Sequence, residues 1–341
     1  MQPVLIIYTG GTIGMEKTAE GTYQPTAGFA QLAQKTIAPA IWRQMPTHEY
    51  VEISPAIDSA DITPKHWQHL AEIIIEHYDN YAGFIILHGT DTMAYTASML
   101  SFLLGGLDKT VILTGSQIPL TEPCSDGANN LLVALQLIGK SRVPEVCIYF
   151  ANQLFRGNRA SKISTSAMIA FESSNYPILG AFENQLKLFH HRWLRPQVPD
   201  FADKDFLPRL SDGQVAVIYL TPGMPSAIMQ AAVSAQAQGL VLVSYGSGNV
   251  PVHRQALMDS LNQARQRGIV MVNVSQCAGG HVNHSYAAAQ PLYQAGVVSG
   301  EDMTIEAAVT KLHYLLAKYG NDREKIQVLL QRNLRGELSP A

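Results

Sequence analysis

The stretch Val4-Leu5-Ile6-Ile7-Tyr8-Thr9-Gly10-Gly11-Thr12-Ile13-Gly14 decides the fold class. Five consecutive apolar residues leave no polar face, the pattern of a strand covered on both sides of a sheet, and the glycines behind them end it in a tight turn. Similar apolar runs recur at Phe84 to Leu87, Val111 to Leu113, Val146 to Phe150, Val215 to Leu220, Leu240 to Ser244 and Ile269 to Val274. Between them lie helical patterns, such as Trp67, Leu70, Ala71, Ile74 and Tyr78 at spacings of three and four. That pattern opens with Thr63 as N-cap and Pro64 at the first helical position. Strand and helix alternate, so the expected class is α/β. The prolines 196, 199 and 208 among charges mark a composition break. The chain is therefore expected to form a larger N-terminal domain, 1–191, with a mostly parallel sheet flanked by helices. A linker, 192–212, and a smaller C-terminal parallel α/β domain, 213–341, follow.

Composition narrows the function. With 341 residues, 47% of them hydrophobic, the chain is long and apolar enough to bury a core, which excludes intrinsic disorder. Lys plus Arg (24) nearly balances Asp plus Glu (27), which gives no electrostatic reason to expect nucleic acid. The charged fraction of 15% is low and favours covering some surface in a homo-oligomer. No apolar run approaches the roughly 20 residues of a membrane span, and the start lacks the layout of a signal peptide. Three scattered cysteines suggest neither a disulfide framework nor a zinc site, and a cytoplasmic protein is expected.

Ligands of open parallel sheets bind at the carboxyl ends of the strands. Three polar loops follow strands there: Thr9 to Gly14, Asp58-Ser59-Ala60-Asp61, and His88-Gly89-Thr90-Asp91-Thr92. The first matches neither nucleotide fingerprint of glycines, but it presents a hydroxyl, Thr12, where glycines let a substrate approach the backbone. Alone, this is also the pattern of a plain turn. Thr90 beside Asp91 adds the hydroxyl and carboxylate that amide or ester chemistry uses. The competing expectation makes Asp91 the N-cap of a helix over Thr92 to Leu104. A threonine nucleophile needs a base, and His88 is expected to point back toward its strand. Lys162, in Arg156-Gly157-Asn158-Arg159-Ala160-Ser161-Lys162, could reach the same rim, although alone it reads as a solvated surface lysine. His66 with His69, and His281 with His284, lack a third ligand at a recognised spacing, so no metal site is expected.

Tyr8 to Met15, His88 to Met93 and Arg156 to Arg159 with Lys162 closely resemble the signatures of the bacterial asparaginase family, in its cytoplasmic type I branch, and the similarity runs over essentially the whole chain. The resemblance implies hydrolysis of L-asparagine to L-aspartate and ammonia, without metal or organic cofactor, by a homo-oligomer, a tetramer or dimer. It implies Thr12 as nucleophile and Thr90 with Lys162 and Asp91 as the second catalytic group. Asp91 would also hold the substrate's α-ammonium, Ser59 and neighbouring backbone its α-carboxylate, and Asp58 would shape the pocket. Tyr23 resembles the family's lid tyrosine, closing through the polar segment Glu16 to Thr22. Ala60 stands where many relatives place a polar side chain, so a contact there must come from backbone. Val243 stands where some type I members carry an effector-site arginine. The competing functions are a tRNA-dependent amidotransferase subunit, whose extra N-terminal domain is not expected before a strand at Val4, a non-catalytic amino-acid sensor, and a nucleotide-linked oxidoreductase.

Overall fold

In the computed structural model, which describes residues 2–201, 207–235, 237–283 and 290–339, the opening run becomes the strand Val4–Gly10, buried at all seven positions. It pairs in parallel with His48–Ile57 on one side and Gly83–Leu87 on the other, and so lies inside the sheet. Parallel pairing continues through Thr110–Thr114 to Val146–Phe150. The sheet then changes character. Ala151 and Asn152, both with positive φ (47° and 65°), turn the chain back into Gln153–Arg156, antiparallel to the strand before it, and Gly180–Phe182 and Leu186–Leu188 extend this edge. These short strands have no apolar run to announce them, and none was expected from the sequence.

Helices cover the sheet. Met93–Leu103 is buried almost all round, and Gly127–Lys140 contributes Leu131, Ala134, Leu135 and Ile138 to a core shared with Ile6, Ile85 and Ile112. Pro64–His77 starts at Thr63 as its spacing predicts, with Pro64 leading. The Thr63 amide donates to His66 Nδ1 at 3.0 Å, so this histidine serves the helix start. His69 lies 3.8 Å from Glu72, His281 is exposed, and His284 lies outside the described residues.

The chain divides into two compact units between Leu207 and Pro208. Residues 192–200, within the stretch expected to be a linker, are hydrogen-bonded into the first unit. The Arg192 carbonyl accepts from Arg156, Trp193 Nε1 donates to the Leu179 carbonyl, the Leu194 amide to Glu145 and the Asp200 amide to the Gly105 carbonyl.

The second unit holds four parallel strands in spatial order, Val215–Tyr219, Gly239–Ser244, Val270–Ser275 and Val297–Ser299, the last absent from the sequence expectation. Val243 is fully buried in the second of them. The tail is tied down by charge. Lys311, on the helix Ile305–Tyr319, is wholly buried 2.5 Å from Glu337 and also donates to the carbonyls of Leu330 and Arg332 (2.9 and 2.6 Å). Glu337 in turn accepts from the amides of Leu334 and Arg335 (3.0 and 2.6 Å). Such a pair survives burial only because each charge is fully solvated by protein. Glu337→Ala strands the ammonium, and the second unit is expected to lose about 3 to 5 kcal/mol in urea unfolding. A loss below about 1 kcal/mol, the worth of an exposed pair, would show that the burial carries no such penalty.

Candidate active site

Three loops meet through glycine backbone. Gly10 and Gly11 have φ of 128° and 82°, a region that side chains disfavour. A Cβ on Gly10 would sit 2.3 Å from the Ile57 carbonyl oxygen, one on Gly11 2.4 Å from the Gly89 nitrogen, and one on Gly89 2.4 Å from Ser59 Oγ. The loops after strands Val4–Gly10, His48–Ile57 and Gly83–Leu87 thus touch directly. Thr12, half-buried, begins the short turn Thr12–Gly14, and its hydroxyl has no hydrogen-bond partner among the described residues.

The second loop is held from within and from the third. Asp58 Oδ1 accepts the Ala60 amide at 3.0 Å, capping the turn Ser59–Asp61, and Ser59 is buried. Ala60 is exposed. Thr92 Oγ1 donates to the Ser59 carbonyl at 2.7 Å. Thr92, not Asp91, is the N-cap residue of Met93–Leu103. The Asp91 carboxylate is drawn elsewhere, because a cation lies in reach.

That cation is Lys162. Its Nζ donates to Thr90 Oγ1 at 2.8 Å and to Asp91 Oδ1 at 2.5 Å, with the lysine side chain 17% and the aspartate 63% exposed. The route to this position is long. After the reversal at Ala151-Asn152 the strand Gln153–Arg156 runs back, the turn Gly157–Arg159 follows, and Ser161–Lys162 pairs with Phe171–Glu172. Asn158 Nδ2 donates to Ser101 Oγ at 3.0 Å, pinning that turn to the helix that Asp91 precedes. Arg156, just before it, is buried in an ion pair with Glu145 at 2.5 Å. Lys162 is therefore half-buried and doubly bonded, not the solvated lysine its sequence alone suggests.

Tyr23 stands apart from this group. Met15–Lys17 and Tyr23–Pro25 form a hairpin with Lys17 opposite Tyr23, and the Tyr23 hydroxyl donates to Glu122 Oε1 at 2.9 Å. The segment expected as a polar connection is thus ordered as a hairpin, with Thr18 and Thr22 hydroxyls 2.9 Å apart. The sequence gives Glu122 and the Thr92 hydroxyl no role, and Asn158 none beyond its place in a signature stretch. Glu122 is 99 residues from Tyr23, and no local pattern links the two.

Chemically, the arrangement offers an unengaged hydroxyl at a glycine loop, and beside it a lysine, hydroxyl and carboxylate in one hydrogen-bonded chain. Since Lys162 donates to the Thr90 oxygen, the Thr90 proton is left to point at whatever binds. Residues 3–194 match the family model described as asparaginase, N-terminal, and residues 214–330 the one described as glutaminase/asparaginase C-terminal domain. The chain belongs to the asparaginase family. Within it, L-asparaginase 1 of Escherichia coli (strain K12) is 43% identical over 339 residues, covering 99% of this chain and 98% of that protein. The crystal structure of L-asparaginase I from Vibrio cholerae superposes with a TM-score of 0.88 at 39% identity, covering 99% of both chains. The thermostable L-asparaginase from Thermococcus kodakarensis gives 0.87 at 32% identity, over 99% of this chain and 100% of that one. Among the described residues no helix is long and apolar enough to cross a membrane.

Two histidines of this asparaginase-family chain are held neutral by burial. His88 in the first unit and His313 in the second are each lowered from 6.5 to about 4. The unfolded chain binds a proton on each below about 6.5, whereas the folded chain does not until about 4. Their contribution is therefore complete above pH 6.5 and is lost as pH falls through that window. Between pH 7 and 5 each unit is expected to lose about 2 kcal/mol from this source. Denaturant midpoints that stay constant over that range would contradict it, and His313→Gln should flatten the dependence of the second unit alone.

Proposed function

We propose that this family member hydrolyses the side-chain amide of L-asparagine to L-aspartate and ammonia. The observation that carries the reading is the Lys162–Thr90–Asp91 group, whose loop packs through Gly89 against Gly11, the residue before Thr12. Thr12 Oγ attacks the amide carbon, and the glycine-loop amides stabilise the oxyanion. Collapse breaks the C–N bond as the proton given up by the Thr12 hydroxyl passes to the leaving nitrogen, which releases ammonia and leaves an aspartyl ester on Thr12. Water then adds, helped by Thr90 with Lys162, and restores the threonine. Asp91, whose carboxylate is largely accessible, takes the α-ammonium, while Ser59 and backbone near Asp58 and Ala60 take the α-carboxylate. For Tyr23 to close over Thr12 it must exchange Glu122 for the substrate side. The low charge density supports a homo-oligomer, and the resemblance to the type I branch supports a tetramer or dimer that acts in the cytoplasm without metal or organic cofactor.

Purified protein given L-asparagine is expected to release ammonia with no cofactor added. Thr12→Val, which keeps volume, should lower kcat at least about 10³-fold in a folded protein, and Lys162→Met about 10²- to 10⁴-fold with a much smaller change in KM. Near-parental turnover in folded Thr12→Val, or a pure KM effect at Lys162, would remove those roles.

Asparagine lacking its α-amino group should be turned over poorly, since it forfeits the charge-assisted contact with Asp91. Asp91→Asn should narrow the difference between the two substrates. Tyr23→Phe should impair turnover, whereas Tyr8→Phe, which deletes a buried hydroxyl that has no partner among the described residues, should not. Equal rates on both substrates, or a fully active Tyr23→Phe enzyme, would defeat the corresponding assignment.

A further inference from the structure

His88 belongs to none of the groups assigned above, yet its ring reaches the peptide that carries Thr90. It is 1% exposed, its Nδ1 lies 2.7 Å from the Gly89 carbonyl oxygen and its Nε2 3.0 Å from Thr96 Oγ1. Thr96 Oγ1 in turn lies 3.0 Å from Trp67 Nε1. Thr96 and Trp67, on the helices Met93–Leu103 and Pro64–His77, are both buried.

Donor and acceptor chemistry sets every proton in this chain. A carbonyl only accepts, so Nδ1 must carry the proton that faces Gly89. An indole N–H only donates, so the Thr96 oxygen accepts it and turns its own proton to Nε2. Nε2 of a neutral ring with a protonated Nδ1 is an acceptor. Burial disfavours the cation that would compete with this arrangement. The Gly89 carbonyl belongs to the Gly89–Thr90 peptide plane, and in a trans peptide the N–H points opposite to the C=O. Holding that oxygen inward on His88 therefore turns the Thr90 N–H outward, where no described residue accepts from it. It also fixes the Thr90 backbone from which Oγ1 meets Lys162.

We propose that His88 is a positioning residue, held as the Nδ1–H tautomer by the Gly89 carbonyl and supported at Nε2 by Thr96 and Trp67, that orients the Gly89–Thr90 peptide for the reaction. The proposal rests on the amide-hydrolysis reading for its effect on rate, but its first test needs no substrate. In the full chain labelled with ¹⁵N-histidine, the His88 signals, assigned by their loss in His88→Asn, should show the Nδ1–H tautomer at neutral pH. Thr96→Val removes the proton donor to Nε2 but leaves Gly89 in place, so the Nε2 signal should move toward that of an unbonded ring nitrogen, with Nδ1 still protonated, while kcat falls and KM holds. Asn places an amide N–H where Nδ1 stood, and Gln places it one bond further out. Folded His88→Gln should lose kcat by about 10²-fold, the scale set by a small misplacement of reacting groups, and His88→Asn should recover most of it. A parent spectrum showing the Nε2–H tautomer would overturn the proposal, as would His88→Gln that is folded and fully active. Failure of the parent to release ammonia would instead strike the hydrolase reading and leave the tautomer result standing.

Discussion

The contact on which the site depends is between backbones. Gly11 lies against the backbone of Gly89, and Gly89 in turn against the side chain of Ser59, at separations that leave no room for a side chain on either glycine. This closeness follows from the sheet. Val4–Gly10 pairs directly with both strands whose loops it meets, so all three loops leave the sheet side by side at the roughly 4.8 Å spacing of strands. Residues that would be distant on separate loops become neighbours. A larger residue at Gly11 would push the Thr90 loop away from the Thr12 loop, and the positive φ would add strain.

Around that contact, polar groups are placed by buried partners more than by their own elements. Lys162 comes from beyond an antiparallel reversal of the sheet, and its approach is held by Asn158 on Ser101 and by Arg156 on Glu145. A buried ion pair contributes little net stability compared with apolar packing, but it sets one geometry sharply because any displacement leaves a charge unpaired. Glu145 also accepts the Leu194 amide, so the same carboxylate ties residues near 194 to the strand leading to Lys162. Lys311 and Glu337 do the comparable work in the second unit, where they fold the tail onto its helix.

The first unit also separates two kinds of hydroxyl. Thr92 and Thr96 are spent on structure, the first on the Ser59 carbonyl and the second between Trp67 and His88. Among the described residues the Thr12 hydroxyl is left without a partner, and that of Thr90 accepts from Lys162 and keeps its own proton free. Threonines that look alike along the chain thus divide by what surrounds them.

Much of this was legible in the chain itself. Runs such as Val4 to Tyr8 determine buried strands because no polar face is available, Thr63 with Pro64 determines a helix start, and Thr9 to Gly14 with His88 to Met93 mark the loops at the strand ends. These are local signals, encoded within about ten residues by backbone sterics and hydrophobic periodicity. The short strands Gly180–Phe182, Leu186–Leu188 and Val297–Ser299 had no such signal, since strands of three residues are stabilised by their neighbours and not by their own pattern. Only the tertiary structure decided that Asp91 faces Lys162 instead of capping its helix, that Tyr23 rests on Glu122, and that His88 turns its ring to Gly89. In the first two cases the partners are 71 and 99 residues apart. For His88 the partner is adjacent, but the ring's other nitrogen is held by Thr96, and Thr96 by Trp67, from two other elements. A side chain's hydrogen bond goes to the best donor or acceptor that folding brings within about 3 Å, and that choice exists only once the strands have been packed.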